Sequence, residues 1–231
     1  MTRTTNARIA GFTYLCYITI GISNEVLMNR ATSAEGTVAT LARIAQYATD
    51  MRLVILLKVL ECFSAVVLAV ILYGITRDVD HELAMLGLVC RVAEGILIGS
   101  IFVPNDMGLL WLAEARAGGY VPDPATTNAL GAFLLMPKAA IGAVFFAVGT
   151  TTFSYLLLRG RMVPQALAWS GVISSALLVV GLPLQLAGFL SGPLASYQWL
   201  PEIVFTIVLA LWFVTKGVAT PAMVMNGQRA G

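Results

Sequence analysis

Charge is the scarcest commodity in this sequence. Only 11% of its 231 residues are Asp, Glu, Lys or Arg, against about 25% in a soluble domain. A water-soluble fold needs polar side chains over its outside, and this chain does not supply enough of them. A lipid-facing exterior removes that need. Histidine is reduced to one residue, His81, so neither a haem-ligating pair nor a Ser–His–Asp triad can be assembled. The three cysteines, Cys16, Cys62 and Cys90, fall inside apolar stretches without paired spacing. That argues against a disulfide framework. No GxxxxGK[ST] and no GxGxxG occurs, which removes nucleotide hydrolysis and dinucleotide binding by those routes. The formal net charge is +2 with no basic run, so a nucleic-acid partner has no electrostatic support. No metal or cofactor is expected.

What the chain has instead is apolar length. Hydrophobic residues make up 58% of it, and the mean hydropathy is +0.85. A bilayer crossing takes roughly 20 such residues. On that scale the sequence predicts an all-α transmembrane bundle of about six spanning helices, near 9–28, 53–75, 83–103, 129–158, 163–190 and 200–218, in a single domain over 1–231. The fourth and fifth are long enough to require tilt. The basic-then-apolar opening has Asn24 and Glu25 where a small-residue cleavage site would stand, so it reads as an uncleaved anchor.

Two longer links have patterns of their own. Val38, Leu41, Ala45, Ala48 and Met51 recur at spacings of three and four, predicting a short amphipathic interfacial helix or an extension of the second span. Between 104 and 128, Trp111, Gly118-Gly119, Tyr120 and Pro122-Asp123-Pro124 suit an interfacial loop. With the N-terminus inside, Arg3, Arg8, Arg77, Arg159, Arg161, Lys216 and Arg229 are inner, and Arg30, Arg43, Arg52 and Arg116 are outer. This distribution favours both termini in the cytoplasm, with the chain in the cell's inner membrane. The charges are concentrated in the first half, so no inverted repeat of the transporter kind is visible.

The informative charges lie inside the spans. Alternating helix direction converts sequence position to depth, and Glu25, Lys58, Glu61, Arg91, Glu94, Asp106, Lys138 and Glu202 then all fall in the outer half or near the midplane. A charge at a helix centre costs roughly 2.5–3.5 kcal/mol on insertion scales. Lys58/Glu61 and Arg91/Glu94 are each spaced i, i+3, so each pair shares one helix face. The layer holds three cations and five carboxyls, net −2, which calls for a bound cation or for protonated carboxyls. Structural ion pairs are the competing account for the two pairs. Snorkelling to the headgroups is the competing account for Glu25, Asp106 and Glu202, and it is open to Lys138 as well. The run Asp78, Asp80, His81, Glu82 reads as a solvated turn rather than a metal site.

Several segments resemble a known family. Arg8-Ile-Ala-Gly11-Phe-Thr-Tyr14-Leu15, Arg91-Val-Ala-Glu94, Phe145-Phe146 followed by Tyr155-Leu-Leu-Leu-Arg159 and Pro164, and Glu202 with Ala210-Leu-Trp-Phe-Val-Thr-Lys-Gly-Val218 are similar to the bacterial domain-of-unknown-function family 4386. Met136-Pro137-Lys138 departs from its polar pattern there. The resemblance implies a polytopic bacterial membrane protein and brings no activity with it.

The residues themselves point to a pocket open to the outer side, with Lys58, Glu61, Arg91 and Glu94 at its floor. It would bind or process a small amphipathic or isoprenoid-like molecule drawn from the bilayer. Chemistry there would use Glu61 or Glu94 as proton donor, as in an acid-initiated cyclase or isomerase. A proton-coupled transporter, or a structural or sensory subunit without chemistry, are the alternatives.

Overall fold

The computed structural model describes residues 3–119, 123–136 and 141–219. Among them the ordered elements are all helical: α1 (Arg3–Thr32), α2 (Thr37–Gln46), α3 (Ala48–Thr76), α4 (His81–Ala117), α5 (Pro124–Leu135), α6 (Ile141–Arg159), α7 (Gln165–Leu186), α8 (Pro193–Tyr197) and α9 (Leu200–Thr215). Among the described residues, five stretches are long and apolar enough to cross a membrane, namely α3, α4, α6, α7 and the α8–α9 run Pro193–Thr215. The thirty residues of α1 are not among them, because Asn24 and Glu25 interrupt its apolar run. Large hydrophobic side chains turn outward on many helices, including Phe63 and Val70 on α3, Ile96 on α4 and Val180 on α7. Such an exterior suits lipid rather than water.

The chain forms two compact units, neither of them a contiguous stretch. Unit 1 is Met1–Ile18, Phe63–Gly95 and Ala140–Gly231; unit 2 is Thr19–Cys62 and Ile96–Ala139. Helices α1, α3 and α4 therefore contribute to both.

In unit 1, the core gathers Ala7, Ala10 and Tyr14 of α1 with Leu68 and Leu72 of α3, Phe153 and Leu156 of α6, and Leu209 and Phe213 of α9. Small residues set the closest crossings. A Cβ at Gly11 would meet Ala210 O at 2.7 Å, so α1 and α9 approach at backbone distance there. At one end, Asp80 accepts from Leu83 N at 3.2 Å and from Arg159 Nη1 at 2.7 Å. Both contacts favour the ionised form, so the Asp80 carboxyl is held below the usual carboxylate range. Arg3 pairs with Asp78, and Tyr73 Oη lies 3.4 Å from His81 Nδ1. The polar turn thus has local partners.

Unit 2 packs Ala31, Leu41, Ile44, Met51, Leu109, Leu112 and Ala113 into its own core. The interfacial pattern becomes the separate helix α2, whose buried face is Thr40, Leu41 and Ile44, while Val38 is exposed. Tyr47 breaks it from α3 with φ −105° and ψ 34°. The expected loop after Pro104 is largely helix: α4 runs on to Ala117, held by burial of Leu109, Leu110, Leu112 and Ala113. Packing overrides the proline there. Gly119, at φ +71°, ends the segment in a left-handed conformation that glycine adopts without strain. Tyr120 and Pro122 lie outside the described residues.

The span expected near 129–158 is described as two helices. Asp123 caps α5, accepting from Thr126 N and Ala125 N. Helix α5 then ends at Leu135, with Met136 extended at ψ 139°. Met136 precedes Pro137, and a residue before proline is pushed out of the helical region.

Candidate functional site

Each unit holds one of the two ion pairs anticipated from the i, i+3 spacing. In unit 2, Lys58 Nζ lies 3.2 Å from Glu61 Oε2. Asn24 Nδ2 of α1 donates to the same oxygen at 3.2 Å. Asn24 is 3% exposed and its Oδ1 has no hydrogen-bond partner. The ammonium also sits over the Phe102 ring, 5.4 Å from its centroid, a cation–π contact from α4. Glu25 is turned outward and takes a hydrogen bond from Asn29 at 3.0 Å.

A cleft within unit 2 has a volume of about 530 Å³, inside the range of small-molecule sites. Helix α1 supplies Met28 and Thr32, α2 supplies Thr37 and Thr40, α4 supplies Phe102, Asn105, Asp106 and Leu109, and α5 supplies Leu134 and Leu135. Asp106 is only 2% exposed, and Asn105 Nδ2 lies 3.4 Å from its Oδ1. The walls are therefore mostly apolar, with a polar band on α4. A second cleft of about 320 Å³ is lined by Met107, Trp111 and the Arg52–Glu114 pair.

In unit 1, Arg91 and Glu94 are each 1% exposed, with Nη1 and Oε2 2.6 Å apart. Tyr17 donates to Glu94 Oε1 at 2.7 Å. The guanidinium lies 4.8 Å from the Phe146 ring centroid and 5.5 Å from that of Tyr17, so the charge sits over two aromatic rings. Gly149 makes room for it, since a Cβ there would meet Arg91 Cγ at 2.9 Å. Glu202 is 2% exposed and accepts from Ser174 Oγ at 2.7 Å and Thr206 Oγ1 at 3.3 Å. Glu25 is exposed, whereas the carboxyls of Asp106 and Glu202 are buried and do not snorkel.

Of the eight residues anticipated as one charged layer, the seven that are described fall into two groups. Glu25, Lys58, Glu61 and Asp106 belong to unit 2; Arg91, Glu94 and Glu202 belong to unit 1. Lys138 lies outside the described residues. Of the described seven, Asp106 lines the large cleft. The partners Asn24, Tyr17, Phe102, Phe146 and Ser174 escape sequence reading, because uncharged residues in an apolar span carry no mark of which neighbour they meet.

These features define a multi-pass, all-α membrane protein with an ion pair in each unit, part-buried in one and fully buried in the other, and a mostly apolar cleft in unit 2. The family described as Domain of unknown function (DUF4386) matches residues 9–217, and the chain belongs to that family. No curated protein and no solved structure matches the chain.

Proposed function

We propose that this protein takes a small amphipathic or isoprenoid-like molecule from the bilayer into the cleft of unit 2 and binds or processes it there. The carrying observation is a cleft of about 530 Å³ with apolar walls and the buried carboxyl of Asp106 in one of them. A site of that shape holds a tail by burial and orients it with few polar groups. Acid–base chemistry at the bound molecule falls to Asp106, in the wall, and to Glu61, whose cationic neighbour rests on the wall residue Phe102. Glu94 is the weaker donor candidate, because Arg91 and Tyr17 already engage both of its oxygens. The chain acts as a single membrane domain in the cell's inner membrane, both termini cytoplasmic, on the strength of its Lys and Arg distribution.

The test is binding of radiolabelled farnesol to the purified protein in lipid nanodiscs. Saturable binding is expected, weakened about tenfold or more by Thr32→Phe, which fills the cleft from α1. Absence of saturable binding, or binding indifferent to Thr32→Phe, overturns the proposal.

A further inference from the structure

We infer that the molecule held in the unit 2 cleft carries a neutral hydroxyl head, read by Asn24 and Lys58. This rests on the cleft reading above and specifies its ligand.

Asn24 stands one helical turn before Met28 and two before Thr32, and both of those residues line the cleft. All three share one face of α1. From α4, the wall residue Phe102 carries the Lys58 ammonium on its ring at 5.4 Å. Asn24 thus precedes the wall residue Met28 by one turn of α1, Lys58 rests on the wall residue Phe102, and the two side chains meet at a single oxygen, Glu61 Oε2.

Two hydrogen-bonding capacities remain in that cluster. The Asn24 Oδ1 atom is a buried acceptor with no donor. Lys58 has three N–H donors and uses one on Glu61. A buried acceptor left unmatched is destabilising, which favours a ligand that brings it a donor. A hydroxyl group completes it, because it both donates and accepts: its hydrogen goes to Asn24 Oδ1, and its oxygen receives Lys58. An ionised carboxylate has no hydrogen for Asn24 and would stand against Glu61. An ammonium head would stand against Lys58. An ether oxygen accepts but cannot donate, so it would satisfy Lys58 and leave Asn24 unmatched.

The experiment compares farnesol, farnesyl methyl ether, farnesoic acid and farnesylamine on the wild-type protein in nanodiscs. Farnesol is expected to bind tightest, about three- to tenfold ahead of the ether, the span one net hydrogen bond gives. Asn24→Leu is then expected to bring farnesol down to the level of the ether while ether binding holds, which also reports that the cleft is intact. Equal binding of alcohol and ether, or an acid or amine that equals the alcohol, overturns the hydroxyl assignment and leaves the cleft reading standing. Failure of all four to bind overturns both. The wild-type comparison decides the matter even where Asn24→Leu does not fold.

Discussion

Replacing Glu94 with Gln isolates the charge of the unit 1 ion pair. The amide is nearly isosteric, and its oxygen can still accept from Tyr17, which donates to Glu94 Oε1 at 2.7 Å. What changes is the partner of Arg91, whose Nη1 sits 2.6 Å from Oε2 with both side chains 1% exposed. Whichever way the amide turns, the negative charge opposite the guanidinium is gone. Arginine does not give up its proton, and water has little access to the site. The full positive charge stays buried against Phe146 and Tyr17, whose ring faces offset only part of the loss. Removing one partner of such a pair costs about 3–5 kcal/mol. Reversible unfolding in mixed micelles measures it directly. Arg91→Met combined with Glu94→Gln removes the stranded charge, and most of the lost stability should return. A single-variant loss below about 1 kcal/mol, the range of solvated surface pairs, would refute the picture of a dry, buried pair.

Two further outcomes follow from features at the helix ends. Asp123 is held below the ordinary carboxylate range by the Thr126 hydroxyl first, then by the Thr126 and Ala125 N–H groups. Its contribution is complete above the unfolded value of 3.8 and is lost as the pH falls through the lower folded value. Asp123→Ala should therefore destabilise α5 at neutral pH and make no difference once the wild-type carboxyl is protonated; a pH-independent deficit would contradict the capping account. For orientation, a membrane-impermeant maleimide on intact cells should label Glu35→Cys, in the α1–α2 turn, and spare Arg77→Cys, in the α3–α4 turn, until the cells are opened. The reverse pattern would invert the assignment.

The helices were legible because a bilayer imposes a length and an apolar composition that no local detail can hide. Extent was legible only where packing agreed with local chemistry. Pro104 reads as a stop, yet burial of Leu109, Leu112 and Ala113 carries α4 to Ala117. Pro137 sits inside an apparently continuous run, and α5 ends just before it, at Leu135. The charged pairs could be read because spacing on one helix is a local fact. Their second partners could not: nothing in the sequence says that Asn24 meets Glu61 or that Tyr17 meets Glu94. Depth along a span, inferred from alternating direction, likewise does not say which unit a residue enters.

Pro104 matters for a different reason. Proline has no N–H, so the carbonyl of Ser100 loses the donor that an uninterrupted helix would offer it four residues on. Phe102 lies on one side of this gap and Asn105, Asp106 and Leu109 on the other, and all four line the cleft. The α4 wall is thus least stiff at its own midpoint. A bend there alters the spacing between the Phe102 ring and the Asp106 carboxyl without unpacking the Leu109–Ala113 segment from its core. Under the function proposed above, this joint is where the cleft would adjust to molecules of different girth while the rest of the scaffold stays put.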